Sequence, residues 1–236
     1  QVSLNRQVGA GVSIGAAYTY SKSIDDSSSD RGSGDLAPNK DNLRAERAVS
    51  DMDRTHILTS NFNWNLPKLA RGAISNPFTR AVLDGWQLSG IVRMWSGMPF
   101  DVVVSQDIAG IGAVQNQRPN LIGDTSGART RTEWFNRAAF ARPTTGTFGN
   151  MGRNSMRLPG VNKWDLSASK NFTLHEGVRL QFRSEFFNAF NHPSLTTVGS
   201  TLTTTATGVN TAAGNFGVIT DSRDARVIQF AVKLGF

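Results

Sequence analysis

The chain has 236 residues, a formal net charge of +7 and no cysteine. The lack of cysteine excludes a disulfide framework and any metal site built on thiolates. The Lys and Arg residues are spread along the chain rather than clustered, so nucleic-acid binding, which uses a basic patch, is not expected. No stretch approaches the roughly 18 apolar residues of a transmembrane helix. Strands can still cross a membrane, because only every second residue of a strand need be apolar.

Apolar residues recur at every second position in most hydrophobic segments of the chain. In the segment that begins at Val12, for example, Ile14, Ala16 and Tyr18 alternate with smaller or polar residues. This period of two predicts a β-strand with one apolar face, and no helix of useful length is predicted. In chain order, the strands are expected at residues 1–7, 11–22, 55–66, 86–96, 163–174, 178–190 and 226–236.

The connections between these strands alternate in length. Residues 8–11, 67–85 and 175–177 form one set, whereas residues 23–53, 97–160 and 191–224 form a much longer set. Each strand has about ten residues, which is enough to cross a bilayer when tilted. Outer-membrane barrels combine such strands with short periplasmic turns and long extracellular loops. A soluble β-sandwich also alternates, but loops this long are unusual in one. The sequence therefore predicts an all-β fold, an antiparallel transmembrane β-barrel segment.

Aromatic residues fall at two levels of the predicted sheet. Trp64 ends one strand and Trp86 begins the next, so both lie at one edge, while Tyr18, Tyr20 and Trp164 lie at the opposite edge. Aromatic girdles at both interfaces are typical of a lipid-facing barrel. We therefore expect the lipid and lipopolysaccharide of an outer membrane to surround these strands.

The predicted strands are too few to close a large barrel. An open sheet in lipid would leave two unpaired edges, so either further strands lie in the loops or the chain is the C-terminal part of a larger barrel. The sequence begins without Met and within a strand pattern, which favours the larger barrel. Lys170 falls on the apolar side of its strand; either it reaches the headgroups or a bulge shifts the register.

An ordered series of short stretches resembles the C-terminal barrel region of TonB-dependent outer-membrane receptors, specifically the Oar-like group with a carboxypeptidase-regulatory-like N-terminal domain. The resemblance implies a barrel of about 22 strands, a plug and a TonB box. Of these parts, only the final strands of the barrel are in this sequence. The stretches are "YTYSKSIDD" (18–26), "DGWQLSGIVRMWSGMPF" (84–100), "RPNLIGD" (118–124), "EWFNRAAFARP" (133–143), "GTFGNMGRNSMRLPG" (146–160), "WDLSASKNFTL" (164–174), "RLQFRSEFFNAFNHP" (179–193) and "VIQFAVKLGF" (227–236).

The function that this resemblance implies is TonB-dependent uptake of an unidentified solute by an outer-membrane receptor of a Gram-negative bacterium. The TonB complex would act through the missing N-terminal part. The alternative is a structural or adhesive surface protein that a barrel anchors. The last strand resembles the β-signal of the barrel assembly machinery, which adds a strand to an open edge. The residues of this assembly signal are Ile228, Phe230, Val232, Leu234 and Phe236.

The sequence gives no reason to expect catalytic residues, a cofactor or a metal. The three histidines are far apart, without the spacing of a metal site. The Ser-rich acidic segment around Asp25, Asp26 and Asp30 matches a calcium loop poorly, so a solvated loop is favoured.

Two groups of residues leave a choice open. Trp134, Phe135 and Phe140 either form a ligand-capturing surface or pack their long loop onto itself. Five charged residues are expected to face the barrel lumen, where they could line a substrate path. The alternative, which we favour, is that Arg183 and Glu185 pair across strands or hold the missing plug through hydrogen bonds. These candidates are Arg93, Arg179, Arg183, Glu185 and Lys233.

Overall fold

A computed structural model describes residues 1–9, 11–28, 37–72, 76–112, 116–175, 177–205, 208–210, 214–223 and 225–236. Its main feature is an open, seven-stranded antiparallel sheet in which strands that follow one another in the chain lie side by side. This meander confirms the predicted all-β, antiparallel fold. The strands are β1 (Val2–Val8), β2 (Val12–Tyr20), β3 (His56–Asn65), β4 (Trp86–Trp95), β5 (Val161–His175), β6 (Val178–Phe187) and β7 (Val227–Gly235).

The register of the sheet collects the alternating apolar residues on one side. Because successive side chains of a strand point to opposite faces, one set of cross-strand partners forms an apolar face and the other set a polar face. Each row of partners runs straight across the sheet, perpendicular to the strands. One apolar row from β2 to β7 consists of Ile14, Phe62, Gly90, Leu166, Phe186 and Ile228.

Gly90 in this row is needed for close packing. A Cβ atom at this position would come within 2.6 Å of the Phe62 ring and 2.8 Å of the Leu166 side chain. With hydrogen alone at position 90, both neighbours can lie over the strand. A larger residue would make the ends of both side chains move aside, which costs little because these ends are flexible.

The β3–β4 connection contains one α-helix, α1 (Pro77–Leu83), which the sequence did not predict. Asn76 caps it: its side chain accepts the Thr79 amide at 2.8 Å, and the Thr79 hydroxyl accepts the Asn76 amide at 3.0 Å. Pro77 occupies the first helical position, where its missing N–H costs nothing. No helix of the described residues is long and apolar enough to cross a membrane.

Lys170 is explained by this helix rather than by either predicted alternative. Its ammonium donates to the carbonyl oxygens of Val82 (3.0 Å) and Asp84, at the C-terminal end of α1. It also lies 5.2 Å from the ring centroid of Trp86 and 5.1 Å from that of Phe172. The β5 register is continuous from Val161 to Thr173, so no bulge occurs at Lys170. The buried cation therefore joins α1 to the sheet.

The remaining regular structure lies in the three long connections, residues 21–55, 96–160 and 188–226, which we name together the loop cap. Short antiparallel pairs form within it: Ile24–Asp25 with Ala48–Val49, Pro99–Phe100 with Met156–Arg157, Asn120–Leu121 with Phe140–Ala141, and Ser194–Val198 with Ile219–Arg223. Thr201–Thr205 pairs with Gly208–Asn210 and, in parallel, with Val103–Val104 of another connection. Two 3₁₀ helices span Leu43–Glu46 and Arg137–Ala139.

The buried apolar core lies in the loop cap and not in the sheet. Its centre is an aromatic triad in which the Phe135 ring lies 5.3 Å from Phe140 and 5.0 Å from Phe216, edge to face. Trp134 packs against this core and donates its indole N–H to the Arg157 carbonyl at 2.8 Å. Of the two alternatives for Trp134, Phe135 and Phe140, self-packing is therefore confirmed. The core consists of Val102, Phe135, Ala139, Phe140, Met151, Met156, Val198, Leu202, Phe216 and Ile219.

Candidate functional site

The apolar face is most exposed at the edge strands of the sheet, while Val92 and Lys170 on the same face are buried. On β7 the side chains of Ile228, Phe230, Val232 and Leu234 are 46–67 % exposed, and Phe236 is fully exposed. All four strand residues belong to the apolar face, and β7 pairs only with β6. A contiguous apolar surface of this kind marks contact with a partner or a membrane. A strand with one such face is what a transmembrane barrel presents to lipid.

The five girdle residues lie at the two ends of the apolar face. Trp64 and Trp86 are at the end with the short connections, and Tyr18, Tyr20 and Trp164 are at the end that carries the loop cap. Two of these rings have hydrogen-bond partners within the chain at the end with the loop cap: the Tyr18 hydroxyl lies 2.8 Å from a His56 ring nitrogen, and Trp164 donates to the Asn162 side chain at 2.9 Å. Amphipathic rings at two levels suit two membrane interfaces.

The five candidate lumen-facing residues all belong to the polar face, but the structure does not gather them into one site. Arg183 forms an ion pair of 3.0 Å with Glu185 along β6, so our expectation that these two pair across strands is wrong. Arg179 and Lys233 lie near the short connections. Arg93 lies at the other end, next to the loop cap.

A cavity of about 250 Å³ separates the polar face from the loop cap at this end. The sheet contributes residues of β4 and β5, and all three connections of the cap reach the cavity. The lining residues are Arg54, Arg93, Trp95, Met98, Leu158, Pro159, Val161, Lys163, Ser194, Leu195, Thr196 and Arg223.

The cavity is positively charged. Among its described lining residues there are four Lys or Arg and neither Asp nor Glu. The guanidinium of Arg54 lies 5.2 Å from the Trp95 ring centroid and donates to the Ser96 carbonyl at 3.1 Å. Burial lowers the pKa of Arg54, and the nearby positive charge of Arg223 lowers it further. Both effects disfavour the charged form, so the site would gain from a negative charge.

Ion pairs, one of them buried, join residues 21–55 of the cap to residues 96–160. Arg118 binds Glu46 through two hydrogen bonds, at 2.8 and 2.7 Å, and both side chains are almost fully buried. Arg157 binds Asp53 at 2.7 Å. In each pair, the residue from 21–55 meets a residue from 96–160. Bidentate and charge-assisted bonds of this type fix geometry as well as adding energy.

Arg153 forms the third such link and corrects an expectation. Its guanidinium binds the side chain and the carbonyl of Asp25 and donates to the Glu46 carbonyl at 2.8 Å. Asp25 is thus a structural anchor rather than part of a merely solvated loop, while Asp30 lies outside the described residues. In the described part of the chain, no three His, Asp or Glu residues are placed to hold a metal ion.

The surroundings of two carboxyl groups in the cap shift their pKa values in opposite directions. Burial by itself raises the pKa of Asp53, but hydrogen bonds from Arg157, the Ser23 amide and Thr55 outweigh it, so the pKa is lowered. Asp101 behaves in the opposite way: burial raises its pKa, although it accepts the Asn154 amide at 2.5 Å. The cap therefore contains a buried carboxyl group, that of Asp101, whose ionised form is disfavoured by its surroundings.

Reasoning from the sequence found Arg93 but missed Arg54, Lys163 and Arg223 of the cavity. Lys163 could have been found, because it alternates with Trp164 and so belongs to the polar face. Arg54 and Arg223 lie in separate connections, and only the tertiary fold brings them to β4. The arginines of the ion pairs do stand in two of the quoted stretches, "RPNLIGD" and "GTFGNMGRNSMRLPG", but no local signal names their partners.

Comparison with known proteins agrees with this geometry. A family model described as an outer membrane beta barrel domain matches residues 1–229. No curated protein and no solved structure matches the chain. The matched region includes six of the seven strands of the sheet completely, together with the loop cap. The chain therefore belongs to the outer membrane beta-barrel domain family, and its place is the outer membrane.

Proposed function

We propose that this chain is the C-terminal barrel portion of a TonB-dependent receptor, which takes up a solute across the outer membrane of a Gram-negative bacterium. The observation that carries the proposal is the loop cap, in which residues 96–160 and 188–226 share one apolar core and ion pairs join residues 21–55 to residues 96–160. Loops that a scaffold holds in fixed positions are suited to selective binding. The cap, moreover, leaves a cavity against the polar face.

The resemblance of the ordered stretches to Oar-like receptors supports the same function. In this proposal the loop cap is extracellular and the short connections are periplasmic, as in bacterial barrels generally. β7 serves as the signal for the assembly machinery, since its apolar residues are exposed and one of its edges is unpaired. Energy reaches the barrel from the TonB complex through an upstream region. The proposal assigns the protein no chemical step.

Solute depletion from the growth medium tests the proposal. A deletion strain is compared with the same strain complemented by the full-length gene, and with a complemented strain that lacks TonB. We expect at least one solute to be depleted only by the complemented strain with functional TonB. Mass spectrometry of the spent medium identifies the solute and measures its depletion.

Two results would count against transport. Depletion that does not depend on TonB would remove energy coupling from the proposal. An absence of any difference in the medium, together with weaker attachment of the deletion strain to surfaces, would favour the alternative of a structural or adhesive surface protein. In that case the loop cap would be the adhesive surface and the barrel its anchor.

A further inference from the structure

We infer that the cavity between the polar face and the loop cap binds the anionic oxygen group of a solute with a small apolar body. A carboxylate or phosphate attached to an aromatic or aliphatic group has this chemistry. This inference rests on the proposed function in one respect, because it names the class of solute that the receptor would carry. The binding step itself can be measured without transport.

The charges around the cavity carry the first part of the inference. Arg54, Arg93, Lys163 and Arg223 line it, and the described lining residues include no carboxylate. The carboxylate of Asp165 binds Arg93 at 2.5 Å from outside the lining. Lys163 also has a partner of its own, so the available positive charge is that of Arg54 and Arg223, which have no ion-pair partner among the described residues. Like charges held close together attract an anion most strongly where the walls are apolar and exclude water.

Two buried donors carry the second part. The Nε atom of Arg93 and the indole Nε1 of Trp95 are both buried and have no hydrogen-bond acceptor in the described part of the chain. Leaving a buried donor unsatisfied is unfavourable. Both residues line the cavity, so these two donors lie at its wall, although another nitrogen of the Arg93 guanidinium is already bound to Asp165.

The apolar walls define the rest of the ligand. Met98, Leu158, Val161, Leu195 and the Trp95 ring surround the basic groups. The volume of about 250 Å³ lies just below the usual range of about 300–1,000 Å³ for small-molecule sites. The cavity therefore has room for one ring or a short chain beside the anionic group, which excludes a bare inorganic anion as the best-fitting ligand.

Three molecules of nearly equal shape distinguish the effect of ligand charge on binding from the effect of ligand shape. Benzoate, benzamide and benzamidine carry one negative charge, no charge and one positive charge. Each is titrated into the purified full-length protein in detergent, up to millimolar concentration, and binding is measured by calorimetry. We expect benzoate to bind at least about tenfold more tightly than benzamide, because a hydrogen bond to a charged group outweighs a neutral one. Benzamidine should not bind.

Two variants locate the binding. Arg223→Gln removes a cavity charge whose side chain is exposed, so the variant should fold, and we expect it to weaken benzoate binding about tenfold. Arg44→Gln is the matched control, since Arg44 is exposed in the same cap but does not line the cavity. It should bind benzoate like the wild type.

Equal binding of benzoate and benzamide, no binding of any of the three molecules, or an equal effect of the two variants would each overturn the inference. The proposed function is tested separately by solute depletion. If depletion does not depend on TonB but benzoate still binds selectively, the anion site stands and transport fails. If depletion depends on TonB but the three molecules bind alike, transport stands and the anion site fails.

Discussion

Removal of the Arg118 guanidinium should open the loop cap while leaving the sheet intact. Arg118 donates two hydrogen bonds to Glu46 and a third to the Met151 carbonyl at 3.0 Å. Both charged side chains are more than nine-tenths buried. Arg118→Met leaves the Glu46 carboxylate buried without its cation, which costs about 3–5 kcal/mol. The open fraction of the cap should therefore rise by about two to three and a half orders of magnitude.

Hydrogen exchange of the full-length protein in detergent measures this opening by segment. We expect faster exchange in residues 37–55 and 116–160 of the Arg118→Met protein and unchanged exchange in β3 and β4. A second change, Glu46→Gln, removes the unpaired charge, so the double variant should recover much of the protection. Arg131→Met, at an exposed position of the cap, serves as the control. If Arg118→Met exchanges like this control, the ion pair does not hold the cap together.

Three further substitutions test separate parts of the structure. Gly90→Ala should lower the free energy of unfolding of the barrel by up to about 1 kcal/mol, because the ends of the Phe62 and Leu166 side chains must move aside; Gly9→Ala, where a Cβ meets nothing within 4 Å, should not, and thermal melting measures the difference. Lys170→Met should speed hydrogen exchange in α1 about tenfold or more through loss of its bonds to the helix carbonyls, whereas the exposed Lys68→Met should not. Asp101→Asn should slow hydrogen exchange in the cap at neutral pH, because it removes a buried charge that the surroundings disfavour.

The pH dependence of the Asp101 effect follows from the raised pKa of its carboxyl group. A carboxyl whose folded pKa is raised favours the folded cap below the usual value of 3.8, and this contribution is lost as the pH rises through the folded pKa. The additional protection of the cap in the Asp101→Asn protein should thus be largest at neutral pH and vanish below the usual pKa of 3.8. A gain that is constant with pH would contradict the burial argument. Equal melting temperatures of the Gly90→Ala and Gly9→Ala proteins would contradict the packing prediction. Equal hydrogen exchange in α1 of the Lys170→Met and Lys68→Met proteins would contradict the prediction for Lys170.

The sheet could be predicted from the sequence because its signal is local. In β7, Phe230 and Val232 alternate with Gln229 and Ala231, and a face assignment needs nothing beyond that alternation. The cross-strand order follows an up-and-down path in which consecutive strands pair, whether the connection between them is short or long. The helix α1 could not be predicted, because seven residues are too few to show a helical period.

The loop cap was beyond prediction for a different reason. Its links join residues far apart in the chain, such as Glu46 to Arg118 and Asp25 to Arg153, and no spacing in the sequence indicates such partners. Lys170 shows the same limit: its place on the apolar face could be read from the alternation, but the helix carbonyls that it binds could not. The charge of the cavity likewise depends on Arg54 and Arg223 from two separate connections, together with Arg93 and Lys163 from the sheet.

The central claim is that one face of the sheet contacts lipid and the other does not. Spin labels at single cysteines introduced along β7 (Val227–Gly235) test it in the full-length protein in bilayers, by comparing accessibility to oxygen with accessibility to a water-soluble nickel complex. The account predicts a period of two, with oxygen access highest at Ile228, Phe230, Val232 and Leu234 and nickel access highest between them. Equal accessibility of neighbouring positions, or the opposite phase, would contradict it.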